Sequence, residues 1–147
     1  MSLTREEADR LVALAKTIDQ VIHWLPVGPS TSRFRFSSVV NCPPPNPDLE
    51  LIGNVGVTNW SFVLLHPSMA PLRKLTVHGG GHVNPDGSDA GPHHKHIWDA
   101  EHQDRITYTP GDVRFHDFNL ALEDFLRECS ITLRAEYAPL TIPRRLA

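Results

Sequence analysis

Apolar and polar residues alternate in several short segments between residues 33 and 108. An alternation with a period of two is typical of β-strands that bury one face of a sheet. Glycines and prolines separate these segments, and a proline cannot donate a hydrogen bond to a strand ladder. The pattern predicts a mainly antiparallel sheet with strands at residues 33–40, 49–57, 60–64, 72–78, 94–98 and 106–108.

Two segments with helical spacing flank the predicted strands. Thr4 begins a capping box, and the apolar stripe that follows it continues to about Ile22. The second stripe covers residues 117–129, and a last alternating segment follows at 131–137. The sequence therefore predicts an α+β fold: an N-terminal helix, a mainly antiparallel β-sheet, and a second helix near the C-terminus followed by a final strand.

The 147 residues are expected to form one domain, residues 1–147. Three stretches fall outside the predicted helices and strands: a proline-rich loop at 41–47, a Gly/His-rich loop at 79–93 and a tail at 139–147. No apolar run approaches the ~20 residues that span a bilayer, and the first residues lack the pattern of a signal peptide. We therefore expect a cytoplasmic protein.

Histidines are concentrated in the second half of the predicted sheet. Eight of the nine lie between His66 and His116. Histidine titrates near neutral pH, ligates metals and transfers protons, so a cluster indicates chemistry. The densest part supplies four candidate catalytic residues, and the strand and glycines before it supply four candidate substrate-binding residues. The first set is His93, His94, Lys95 and His96, and the second is Arg73, Lys74, His78 and His82.

The first interpretation of this cluster is acid–base catalysis without a cofactor. His94 and His96 would transfer protons, while Lys95, with Arg73 or Lys74, would hold a scissile phosphate. A net charge of −3 argues against broad binding to nucleic-acid phosphates but leaves room for such a local cationic site. In an extended strand, His94 and His96 point to one face and Lys95 to the other, so all can act together only in a loop.

Two other interpretations remain open. His94 and His96 have the H-x-H spacing of metal ligands, and a divalent transition metal would take a third ligand from Glu101, His78 or His82. Alternatively, the segment is part of a non-catalytic module that binds a protein or a nucleotide.

The string Pro-His-His-Lys-His at residues 92–96 resembles the signature of the TumE-type toxins of bacterial toxin–antitoxin modules. Related uncharacterised proteins are similar over a wider span, which corresponds here to about residues 72–131. The resemblance implies an α+β toxin that cleaves RNA, within a toxin–antitoxin or related phage or defence system. It also implies a nucleotidyltransferase-like antitoxin as partner, with His93, His94, Lys95 and His96 as site residues.

A second resemblance is to cupins. Their first motif, a glycine, an H-x-H pair and a glutamate, is similar to Gly87, His94, His96 and Glu101. Their second motif resembles the segment from Pro110 to Asn119, which includes His116. This resemblance implies a metal held by His94, His96 and Glu101.

Overall fold

The computed structural model describes residues 3–29, 32–77, 83–89, 91–114 and 116–141. It confirms the α+β fold. The helices are α1 (Arg5–Ala13) and α2 (Phe118–Glu128). The strands are β1 (Lys16–Ile18), β2 (Leu25–Pro26), β3 (Phe34–Val40), β4 (Leu49–Val55), β5 (Trp60–Leu65), β6 (Pro71–Val77), β7 (His94–Asp99), β8 (Gln103–Tyr108) and β9 (Ile131–Leu133).

Strands β2 to β8 form one antiparallel sheet in the order of the chain. Both helices pack on the same face of this sheet, where Leu11 of α1 and Phe125 of α2 join Phe62 and Leu75 of the strands in one buried cluster. We call this the helical face and the opposite one the outer face. The alternation in the sequence arises because successive strand residues point to these two faces in turn.

Helix α1 is shorter than predicted. Its start is confirmed, since Thr4 Oγ1 accepts a hydrogen bond from the Glu7 backbone at 3.1 Å, but it ends at Ala13 rather than near Ile22. The buried ammonium of Lys16 satisfies carbonyl oxygens that the end of the helix leaves without partners. Its three hydrogen bonds, of 2.6, 2.8 and 2.7 Å, go to the carbonyls of Leu11, Val12 and Leu14.

The residues after the helix form β1, which pairs in parallel with β9 in a separate two-stranded sheet. The prediction that the helix continues through Lys16–Ile18 is therefore wrong. Ile18 is fully buried and joins the main core, so its apolar side chain has the same burial that the helical pattern predicted for it. Strand β9 ends at Leu133 rather than at residue 137, and β8 begins at Gln103 rather than at Ile106.

A turn at residues 84–87 lies within the predicted Gly/His-rich loop. Gly87 donates its backbone N–H to the Asn84 carbonyl at 2.9 Å and has a positive φ of 88°, which favours glycine. No helix in the described part of the chain is long and apolar enough to cross a bilayer.

Candidate functional site

The histidine–lysine string lies in an extended strand, so its residues point to two faces. In the pairing of β6 with β7, Lys95 lies opposite the core residue Leu75, on the helical face. His96 lies opposite Lys74 and His94 opposite Thr76, on the outer face. The structure thus brings Lys74 to the two imidazoles and separates Lys95 from them.

Lys95 is buried in an ion network on the helical face. Its Nζ lies 2.7 Å from Asp112 Oδ1 and 2.5 Å from Glu128 Oε2. Glu128 Oε1 also accepts a hydrogen bond of 2.7 Å from Arg73, which lies 3.4 Å from Asp9 of α1. The network joins both helices and the loop before α2 to the sheet.

The charges of this network compensate one another. Burial alone would lower the pKa of Lys95, but the hydrogen bonds that its ammonium donates to Asp112 and Glu128 outweigh it and raise that pKa above its ordinary value. Burial likewise opposes the charge of Arg73, and Glu128 raises the pKa of that guanidinium. Neither cation faces the side of the sheet that carries His94 and His96.

His94 and His96 lie side by side on the outer face. Their ring centroids are 4.8 Å apart, the rings are inclined by 60°, and both residues are buried. The Nδ1 atoms of His94 and His96 lie 2.9 and 2.7 Å from the carbonyl oxygens of Gly91 and Asp104. A neutral imidazole must carry its proton on Nδ1 to donate to a carbonyl, so Nε2 is the basic nitrogen in each ring.

His96 is neutral at physiological pH. Burial lowers its pKa to about 4, even though its hydrogen bond to the Asp104 carbonyl acts in the opposite direction. The nearby charge of Lys74 lowers the same pKa further. His96 Nε2 can therefore accept a proton, and at neutral pH that nitrogen carries no proton to transfer to a substrate.

Residues 83–89 are anchored beside the histidine pair. The Asn84 side chain bonds to both backbone groups of Thr107 in β8, with N···O distances of 2.7 and 2.9 Å. Thr107 lies opposite His96, and the Gly91 carbonyl bonds to His94. This loop therefore closes the edge of the sheet next to the two imidazoles.

A cleft of about 430 Å³ lies where β4 and β5 meet in the turn at residues 56–59. It reaches Lys74 and Thr76, the two residues opposite His96 and His94. Its walls combine aromatic and aliphatic groups with two cations, and no carboxylate is among the residues that line it. The polar and cationic lining residues are Arg33, Lys74, Asn54, Asn59, Ser61 and Thr76, and the aromatic ones are Phe34 and Trp60.

Most of this cleft was not predicted from the sequence. Among its lining residues, Lys74 is a candidate from the sequence because it lies in a basic strand near the histidines. Asn54 and Ser61 occupy the polar positions of alternating strands, which is the one local signal that could have marked them. Arg33 lines the same cleft from the position just before β3, and no local pattern relates it to Lys74.

The other candidate residues lie elsewhere. His93 is half-buried just before β7, and His78 and His82 lie outside the described residues. Glu101 is exposed in the β7–β8 turn, within a group of possible ligands formed by Asp99, Glu101 and His102. Among the described residues, that group does not include His94 or His96, so the metal site of His94, His96 and Glu101 is not assembled.

Comparison with known proteins places the chain in a family. A family model, DUF6978, described as a family of unknown function, matches residues 3–131. No curated protein and no solved structure matches the chain. The chain belongs to the DUF6978 family of unknown function.

Proposed function

We propose that this protein binds RNA and holds a nucleotide in the cleft beside β6. The observation that carries the proposal is the lining of the cleft, in which Arg33 and Lys74 supply positive charge beside the aromatic residues Phe34 and Trp60. A phosphate group requires cations, whereas a base requires flat apolar surface and a few hydrogen-bonding groups. The cleft offers the two cations and the hydrogen-bonding groups of Asn54, Asn59 and Ser61, bordered by the apolar residues of the neighbouring row, and its volume lies in the range of small-molecule sites.

RNA is the nucleic acid that the toxin resemblance implies. The protein has a net charge of −3, so most of its surface does not attract the negatively charged phosphates of RNA. Phosphate binding is therefore confined to a local cationic site. The cleft fits this requirement, since two cations face it and its lining contains no carboxylate.

Removing one cation of the cleft should weaken RNA binding. We expect Lys74→Gln and Arg33→Gln each to weaken the binding of a labelled single-stranded RNA several-fold and to lower the salt-dependence slope by about one, as for the loss of one phosphate contact. Fluorescence anisotropy measured over a series of salt concentrations gives both quantities. Arg134→Gln is the control, since that exposed arginine follows β9 and lies near Asp19. Unchanged affinity in both cleft variants would contradict the proposal.

A second candidate function is cleavage of that RNA, as in a toxin-like ribonuclease. The observation that favours it is the position of His94 and His96 directly across from the cleft residues Thr76 and Lys74. One neutral imidazole would take the proton of a 2′-hydroxyl, and the 2′-oxygen would attack the adjacent phosphorus. The bond to the 5′-oxygen then breaks and that oxygen takes a proton from an acid, which leaves a 2′,3′-cyclic phosphate and a 5′-hydroxyl.

We propose the following roles in this reaction. His96 is neutral and would serve as the base, and His94 would supply the proton to the leaving oxygen. Lys74 takes the phosphate-holding role, because Lys95 and Arg73 are paired with carboxylates on the helical face. Both imidazoles are buried, so the segment of residues 83–89 must move aside for the phosphate to reach them.

Cleavage is tested with tag-free protein and RNA. We expect products ending in 2′,3′-cyclic phosphate, and loss of cleavage with retained binding in His94→Asn and His96→Asn. Inducing the protein in bacteria should arrest growth, and a nucleotidyltransferase-like antitoxin should relieve the arrest. RNA binding without cleavage or growth arrest would remove the ribonuclease and leave the binding function.

Elemental analysis of the same tag-free protein tests the alternative in which His94 and His96 bind a transition metal. Hydrogen bonds from Nδ1 to backbone carbonyls also orient metal-binding imidazoles. A stoichiometric transition metal that is present in the wild type and lost in the variant with both His94→Ala and His96→Ala would favour a metal-dependent reaction over acid–base catalysis by the two histidines.

A further inference from the structure

We infer that the RNA lies across the strands of the outer face as a single strand, along a polar row that runs from Arg35 to His94. This inference rests on the proposed RNA binding and extends it from one nucleotide in the cleft to a path over five strands.

The row follows from the register of the sheet. Arg35 lies opposite Asn54, Asn54 opposite Ser61, Ser61 opposite Thr76, and Thr76 opposite His94. Directly opposite residues in antiparallel strands point to the same face, so these five side chains form one line across β3 to β7. Each of them is polar or charged, whereas the next row on the helical face begins with Phe36, Gly53, Phe62 and Leu75 and becomes charged only at Lys95.

The solvent exposure of the side chains decreases along the row from Arg35 to His94. Arg35 is exposed, the three residues in the middle are half-buried, and His94 is buried. The middle side chains, Asn54, Ser61 and Thr76, are short and stay close to the sheet. They can reach the edge of an unpaired base or a sugar hydroxyl, but not a base edge that is paired inside a duplex.

The charges on this face suit a phosphate backbone. Arg35 stands at one end of the row, and Lys74 stands beside the other end, opposite His96 in the next row. Glu50 in β4 is the acidic side chain on this face among the described strand positions from β3 to β7. It lies two rows away and accepts a hydrogen bond of 2.5 Å from Ser37. The row itself therefore carries positive charge without a carboxylate.

The length of the row sets the length of RNA. Four strand-to-strand steps of about 4.8 Å span about 19 Å. Four-stranded RNA-recognition sheets contact two or three bases on one face, so five strands have room for about three or four nucleotides.

Binding to 2′-O-methyl oligonucleotides of increasing length tests the path, since these lack the hydroxyl proton that cleavage requires. We expect affinity to rise with length up to about four nucleotides and then to level off. Arg35→Gln should weaken the longer oligonucleotides about three- to tenfold and leave a dinucleotide unchanged, whereas Lys74→Gln should weaken both. Arg134→Gln again serves as the control and should change neither.

The outcomes separate this inference from the proposed function. The path would be contradicted by equal affinity for duplex and single-stranded RNA, or by an equal effect of Arg35→Gln at every oligonucleotide length. In either case, binding of the dinucleotide would still support the proposed function. Failure to bind any RNA would overturn both.

Discussion

Replacing Lys95 by methionine is expected to lower the free energy of unfolding by about 3–5 kcal/mol. The ammonium is buried between Asp112 and Glu128, and its removal leaves Glu128 buried with Arg73 as its remaining cation. A buried charge that loses one partner retains its desolvation cost and loses the compensating attraction. Denaturant unfolding followed by circular dichroism measures the change.

Lys74→Met is the matched control for this substitution. Lys74 lies on the adjacent strand, is half-buried and faces the outer side, so we expect it to change stability by less than about 1 kcal/mol. A similar small loss in both variants would contradict the role of the ion network. The folded fraction of the Lys95→Met variant should still bind RNA, because that side chain does not face the cleft.

Acidification from about pH 6.5 to about pH 4 should destabilise the protein through His96. Its pKa is about 4 in the folded state and near 6.5 otherwise, so the unfolded chain binds more protons in this interval. Stability therefore falls as the pH falls, by up to about 3 kcal/mol for this one residue.

The measurement compares unfolding free energies at several pH values in the wild-type protein and in His96→Gln. The variant cannot gain a proton at this position, so its pH profile should be flatter over the same interval. His23→Gln removes an exposed histidine and should keep the wild-type profile. Equal slopes in the wild type and in His96→Gln would show that burial of this imidazole does not resist protonation.

The α+β fold follows largely from local pattern. Alternation predicted the seven strands from residue 33 onward within a few residues, because the two-residue period is a property of each strand by itself. It could not predict where α1 ends. Ile18 suits an amphipathic helix and a buried strand equally, and its pairing partner, Leu133, lies more than a hundred residues away.

The candidate site likewise depends partly on local sequence pattern and partly on tertiary contacts. Alternation alone implied that Lys95 points away from His94 and His96 if the segment is extended. Only the tertiary structure decided that it is extended, and that the helices cover the face of Lys95, where Glu128 at the end of α2 pairs with it. An ion pair between residues on two distant elements has no signature in either segment.

By itself, the sequence determined the fold class, the start of both helices and the separation of the histidines from Lys95 along one strand, since all of these depend on the spacing of neighbouring residues. The tertiary structure alone decided which cation accompanies the histidines, because Lys74 reaches them through strand pairing. It also decided that Arg33, Ser61 and Lys74 line one cleft. Proximity between strands is set by the register of the sheet, and register depends on the packing of the whole chain.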